Sequence, residues 1–146
     1  MSDILTPETI ELNVSLGDRD EAIRRAGSLL VQNGNVEARY IDSMLEREQS
    51  VSTFMGNDVA IPHGTEDSKQ WVTRSGLSIL TVPEGVEYGD GDRARLIIGI
   101  AGKGDEHLEI LSRVAIVVSE EENVEKIVNS QTKEELLSYF EEADEG

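Results

Sequence analysis

The sequence predicts an α/β fold: a single domain built on a mixed β-sheet of about five strands, with helices on both faces of the sheet. Three observations lead to it. Segments with helical spacing of apolar residues and short β-branched runs are interspersed without strict alternation, which points to a mixed sheet. No repeat, low-complexity tract or linker divides the chain, so its segments are expected to share one core. Its 146 residues, 38% of them hydrophobic, are enough to bury that core.

The elements follow in order. Thr6-Pro7-Glu8 reads as a brief helical turn before a short strand at Ile10–Val14. Asp18 with Glu21 three residues later resembles a capping box in which Asp replaces Ser or Thr. It opens a helix with Ala22, Ile23, Ala26, Leu29 and Leu30 on one face, stopped by Gly34. A second helix covers Ala38–Arg47 and is expected to bury Ile41, Met44 and Leu45. Strands follow near Thr53–Met55 and Val59–Pro62, then a short helix after Gly64 with Thr65 or Asp67 as its cap. Gly76–Val82 and Leu96–Ala101 are rich in β-branched and aliphatic residues and read as buried strands. Between them, Pro83-Glu84-Gly85 reads as a turn and Val86–Tyr88 as a further short strand. Gly102-Lys103-Gly104 breaks the chain before a helix from Asp105 to about Val118, with Leu108, Leu111, Ala115 and Val118 as its apolar stripe. A helix at Asn123–Val128 precedes a Thr132…Glu135 capping box, which opens a last helix burying Leu136, Leu137 and Phe140.

Charge restricts the partners. Thirty acidic residues against 13 basic ones give a formal net charge of −17. Such a surface repels nucleic acid and anionic membranes, and no basic cluster offsets it. The charge serves solubility or attraction to a basic partner, or it is an adaptation to a salty cytoplasm. Arginines outnumber lysines nine to four. The first thirty residues hold acids and bases but no apolar signal region, and the uncharged runs fall far short of the ~20 residues that span a bilayer. A cytoplasmic location is expected, with no membrane insertion. Without cysteine there is no disulfide, zinc-thiolate site or thiol nucleophile.

Two histidines confine imidazole chemistry to two places. His63 lies in Asp58-Val59-Ala60-Ile61-Pro62-His63-Gly64-Thr65, where a β-favouring run ends in a proline. Pro62 fixes its own φ and pushes Ile61 into extended geometry, while Gly64 allows a sharp turn. The imidazole is thus expected at a fixed, reachable point on the rim of a sheet. Read alone, such a histidine is more often one whose ring simply bonds a neighbouring carbonyl. A neutral ring would nevertheless supply a nucleophilic nitrogen at neutral pH. His107 falls in the first turn of its helix, beside the apolar stripe, where the helix N-terminus favours an anion and disfavours imidazolium. A solvated cap residue is the plain alternative. Arg47, at the end of the second helix, is either a solvated charge on the helix dipole or a guanidinium reaching a phosphoryl group. Glu120-Glu121-Glu122 and Glu141-Glu142 read as solvated faces. No Gly-x-Ser-x-Gly, Walker-type, His-x-x-x-His or calcium-loop pattern occurs, so no cofactor or metal is implied.

Taken together, three stretches resemble the IIA component of the phosphoenolpyruvate:sugar phosphotransferase system, in its mannitol/fructose family. EAIRRAGSLLVQNGNVEARYIDSMLERE is similar to the family's opening helices, and MGNDVAIPHGTEDSK to its phosphorylation-site segment. PEGVEYGDGDRARLIIGIAGKGDEHLEIL is similar to its later strand, glycine break and second-histidine helix. The resemblance implies a phosphocarrier without metal or cofactor. His63 would accept a phosphoryl group from the histidine-containing phosphocarrier protein and pass it to a cysteine of a IIB component for mannitol or fructose uptake. His107 would lie close by and help to hold the group, Arg47 would supply positive charge, and Thr65 would orient the ring or stabilise the phosphate. On this reading the face around His63 should be less acidic than the rest of the surface. Two other readings stay open: a domain of the same fold phosphorylated at His63 to regulate a partner, and a small metal- or ligand-binding domain.

Overall fold

The computed structural model describes residues 4–145. Among them, five strands form one sheet: β1 (Ile10–Glu11), β2 (Phe54–Gly56), β3 (Val59–Ala60), β4 (Gly76–Gly89) and β5 (Asp92–Ala101), in the order β1-β4-β5-β3-β2. The helices are α1 (Arg19–Gln32), α2 (Tyr40–Ser50), α3 (Glu106–Val118), α4 (Glu121–Val128) and α5 (Lys133–Glu145). Two 3-10 turns, Pro7–Thr9 and Glu66–Trp71, complete the elements. β1 is parallel to β4 and β3 to β5, whereas the β4–β5 and β2–β3 pairs are antiparallel. The sheet is therefore mixed, as the irregular order of segments predicts.

Side chains alternate across a pleated strand, so each buried strand feeds two cores. Leu77 and Ile79 of β4, with Leu96, Ile98 and Ile100 of β5, join Ile110, Val114, Val117, Ile127, Leu136 and Phe140 on the face covered by α3, α4 and α5. Leu80, Val82, Ile97 and Ala101 point the other way, into Ala22, Ile23, Ala26, Leu30, Tyr40 and Met44 of α1 and α2. Ser78 lies on that second face and donates its hydroxyl to the Ala26 carbonyl at 2.8 Å, so a buried polar group is paired rather than orphaned.

Both predicted capping boxes form. Asp18 accepts from the Glu21 amide at 2.9 Å, and Thr132 from the Glu135 amide at 3.0 Å. In each, the glutamate reaches back to the amide one residue before the cap, at Gly17 and Gln131. Glu120, Glu121 and Glu122 are exposed, as read from the sequence.

The structure departs from the sequence reading in several places. The predicted first strand is only two residues long, because beyond Glu11 the chain meets β4 only through the Asn13 and Val14 amides, which donate to Thr81. Pro83-Glu84-Gly85 does not end a strand: β4 runs through it, with a register shift between Thr81 and Val86. Pro83 lies beyond the paired length of β1, so its missing N–H interrupts no ladder there. β5 begins four residues earlier than predicted, at Asp92. Asp90 and Gly91 both have positive φ, 53° and 83°, and close a two-residue hairpin that pairs Gly89 with Asp92. Asp-Gly is a strong hairpin signal, and here it sets where β5 begins.

α2 runs on to Ser50, which places Arg47 inside its last turn rather than at its end. Ile41 and Leu45 are half-buried there, and Tyr40, Ser43, Met44 and Glu48 are the buried residues. In α3 the stripe is rotated. Leu108 is 68% exposed, while Ile110, Val114, Val117 and Val118 are buried. Glu106, Glu109, Ser112 and Arg113 mark one polar side, but the apolar arc is wider than the face that is buried, so spacing alone does not fix which part of it turns inward. The buried face includes the position of His107, which thus continues the stripe instead of lying beside it.

A net charge of −17 on so small a fold implies self-repulsion that salt relieves. Raising salt from about 0.05 M to about 1 M, where the Debye length is ~3 Å, is expected to raise the melting temperature. A melting temperature that stays level or falls in calorimetry would contradict the repulsion account.

Candidate functional site

Because β3 and β5 are parallel, their C-terminal ends emerge on the same edge of the sheet, the edge where open α/β sheets gather ligands. His63 leaves β3 at that edge. The Ile100 amide donates to the Pro62 carbonyl at 2.9 Å, and His63 forms a parallel bridge with Ile100, so β5 holds the backbone under the imidazole. One residue beyond β5, Gly102 begins the turn into α3 and brings His107 back over the same edge. A Cβ at Gly102 would lie 2.6 Å from the His107 Cβ and 2.7 Å from its amide nitrogen. Glycine is therefore required by close approach, and the two imidazoles meet with centroids 5.3 Å apart and planes tilted by 57°.

His63 Nδ1 lies 2.8 Å from the Ile61 carbonyl oxygen. A carbonyl only accepts, so Nδ1 carries the proton and Nε2 keeps its lone pair. The bond that a plain loop histidine would make is the one that leaves Nε2 with a free lone pair. The ring is more enclosed than the sequence predicts, with His63 only 8% exposed. Gly64 accounts for part of this. It does not adopt the left-handed backbone expected of a sharp turn; instead it leaves room for its neighbours. A Cβ there would meet the Tyr40 ring at 2.6 Å, the Ser43 hydroxyl at 2.7 Å and the Ser68 hydroxyl closer still. Tyr40, Ser43 and Ser68 close over the loop, and no sequence signal marked them beyond their ordinary polar or aromatic character.

Both imidazoles resist protonation. Burial lowers His63, with the Arg47 charge acting in the same direction, while the Ile61 hydrogen bond and the Glu48 carboxylate oppose. His107 is pushed down to about 4, by burial first, then by the neighbouring His63, Lys69 and Arg47; Glu66 opposes. Two cations and two carboxylates thus act on the pair in opposite directions. Glu66 is itself tied to Lys69 at 3.0 Å, and buried Glu48 accepts from the Thr53 amide and hydroxyl. Lys69 and Glu48 both lie outside the set of residues singled out from the sequence.

Arg47 serves two purposes at once. Its Nη1 donates to the Val51 carbonyl at 2.6 Å, closing the C-terminus of α2, and its charge reaches both imidazoles. Thr65 follows Gly64 in the same loop and caps the Glu66–Trp71 turn without a side-chain bond. Its carbonyl accepts from the Ser68 hydroxyl at 2.6 Å. His63 and His107 are thus in contact, Arg47 acts on them through its charge, and Thr65 takes part through its backbone.

The lowered imidazoles make a prediction about stability. The unfolded chain has ordinary histidines near 6.5 and binds protons that the folded chain refuses. Stability should therefore fall as pH drops from about 6.5 toward about 4. In urea unfolding across that window, His107→Gln is expected to flatten part of the slope; an identical slope in the variant would contradict the depressed value.

Residues 3–143 match the family model described as the phosphoenolpyruvate-dependent sugar phosphotransferase system, EIIA 2. The mannitol-specific phosphotransferase enzyme IIA component of Geobacillus stearothermophilus is 57% identical over 139 residues, 95% of this chain and 96% of that protein. Its counterpart in Bacillus subtilis is 51% identical over 139 residues, 95% and 97% of the two chains. Among solved structures, the IIA mannitol chain of Escherichia coli in complex with phosphorylated IIB superposes with a TM-score of 0.89 at 33% identity, over 95% of this chain and 99% of that one. With its fold, its length and its sequence all matched, this chain belongs to the EIIA 2 family of the phosphoenolpyruvate-dependent sugar phosphotransferase system.

Proposed function

We propose that this chain is the phosphocarrier of a mannitol uptake system, working in the cytoplasm between the histidine-containing phosphocarrier protein and a IIB component. The observation that carries the reading is the Nδ1–H of His63 fixed on the Ile61 carbonyl beside a second imidazole. In the first step the Nε2 lone pair attacks the phosphorus of the donor's phosphohistidine. A new P–N bond forms as the donor's P–N bond breaks, and the donor's ring nitrogen takes back the electron pair. Nδ1 keeps its proton throughout, so the product is an N-phosphorylated imidazolium whose charge the carbonyl stabilises. In the second step a cysteine thiolate of IIB attacks phosphorus, and His63 leaves as the same neutral tautomer that began. No proton has to cross the site in either direction.

The surrounding groups suit that exchange. Arg47 offers positive charge to the phosphoryl oxygens, and a guanidinium binds them with a planar fork. His107, kept neutral by burial and by nearby cations, has one N–H to donate and adds no charge of its own. Thr65 lies two residues past the nucleophile and helps to set its loop. The mannitol assignment draws on relatives 57% and 51% identical that carry that specificity, and the IIB partner on the structural neighbour solved with phosphorylated IIB. Fructose, which the resemblance to the family leaves beside mannitol, has no comparable support.

Incubation with labelled phosphoenolpyruvate and the two general phosphotransferase proteins tests this. The expected adduct is acid-labile and base-stable, absent in His63→Ala and present in His107→Ala with onward transfer slowed by roughly a hundredfold. Label that persists in His63→Ala would refute the assignment. Transfer to a fructose IIB but not to a mannitol IIB would overturn the sugar.

A further inference from the structure

The loop that carries His63 is fastened by a residue that the reaction itself does not use. Tyr40 opens α2 and is 2% exposed. Its hydroxyl donates to the Ile100 carbonyl at 2.9 Å and accepts from the Gly64 amide, also at 2.9 Å. Ile100 is the residue that bridges to His63 across the sheet edge, and its own amide holds the Pro62 carbonyl. The backbone is therefore pinned on both sides of the histidine: β5 holds the residue before it and Tyr40 holds the residue after it.

We propose that Tyr40 is a positioning residue for His63, its hydroxyl clamping Gly64 onto β5 and thereby fixing the depth and tautomer of the imidazole. The proposal rests on His63 being the phosphoryl carrier. With Pro62 and Gly64 both immobile, the His63 side chain has little freedom left, and it meets the Ile61 carbonyl with Nδ1. Burial pushes the Tyr40 hydroxyl up to about 12, so it keeps its proton across the working pH range and can donate and accept together. The Gly64 amide is buried, and a loop released from the hydroxyl would turn that amide toward water and carry the imidazole with it. The aromatic ring packs with α1, β4 and β5. A phenylalanine would fill the same volume, so packing and clamping separate cleanly.

Tyr40→Phe is the variant to make. Nitrogen-15 NMR of the histidine rings in the unphosphorylated protein is expected to show His63 as the Nδ1–H tautomer, titrating below its ordinary 6.5. In Tyr40→Phe the titration should move up toward 6.5 and the preference for the Nδ1–H tautomer should weaken. The rate of phosphoryl acceptance should fall roughly ten- to hundredfold, with the KM for the donor little changed. A variant that loses melting temperature yet keeps both the wild-type ring titration and the wild-type rate would overturn the proposal, because a purely structural tyrosine predicts that result. If Tyr40→Phe does not fold, hydrogen exchange in the wild-type protein decides: the Gly64 amide should be as protected as the amides of β5, and exchange at the rate of an exposed loop would overturn the clamp. Neither the ring titration nor the hydrogen exchange requires phosphate. A wild-type protein that takes no label would remove the carrier reading and still leave the clamp to stand or fall on these data.

Discussion

One hydrogen bond organises the site, from the Nδ1–H of His63 to the carbonyl of Ile61, two residues back in the chain. An imidazole has two nitrogens, and in its neutral form one must donate while the other accepts. Giving the proton to a carbonyl that can only accept leaves Nε2 as the sole nucleophile. Everything nearby keeps that choice from being reversed. Pro62 favours extended geometry at Ile61, β5 holds the Pro62 carbonyl, and burial discourages the second proton that would make the ring a cation. In the proposed relay the bond also strengthens at the moment it is needed, when the ring gains positive charge on phosphorylation.

The placement of the second imidazole is a matter of space more than of attraction. α3 starts against the end of β5 because Gly102 has no side chain to hold it away. The inward face of α3, carrying Ile110, Val114 and Val117, fixes the helix by packing, and His107 rides at the end of that face. The rings, 5.3 Å apart, would repel if both were protonated, and His63 adds to the burial that holds His107 down. Burial, usually a cost to a polar group, here holds both rings in the state that suits phosphoryl chemistry. Arg47 lowers both rings and Lys69 lowers His107, while Glu48 opposes at His63 and Glu66 at His107.

Much of this was legible in the sequence, and the parts that were not have physical causes. The mixed sheet, its two helical layers and both capping boxes followed from apolar spacing and from Asp18, Glu21, Thr132 and Glu135. These are local signals that tertiary packing had no reason to override. The juxtaposition of His63 and His107 came from resemblance to a family, because residues 44 positions apart give no local sign of contact. The inward face of α3 differs from the expected stripe because its apolar arc is wider than the face it buries, and its neighbours choose among those positions. The hairpin at Asp90-Gly91 carries a local signal of its own, since Asp-Gly suits the positive φ that both residues adopt. Tyr40 was not legible as a polar residue at all: its hydroxyl finds partners at Gly64 and Ile100, 24 and 60 positions away, and only the fold brings them together. The role of Gly64 was assigned to the wrong property, since glycine serves there for its small size and not for a left-handed backbone.

The central claim is that Nε2 of His63 is the atom that bonds phosphorus. It is tested most directly by phosphorus–nitrogen coupling in a ring-labelled, phosphorylated sample. A one-bond coupling to Nε2 of His63, with Nδ1 still protonated, is the predicted spectrum. Coupling to Nδ1, or to either nitrogen of His107, would contradict the account.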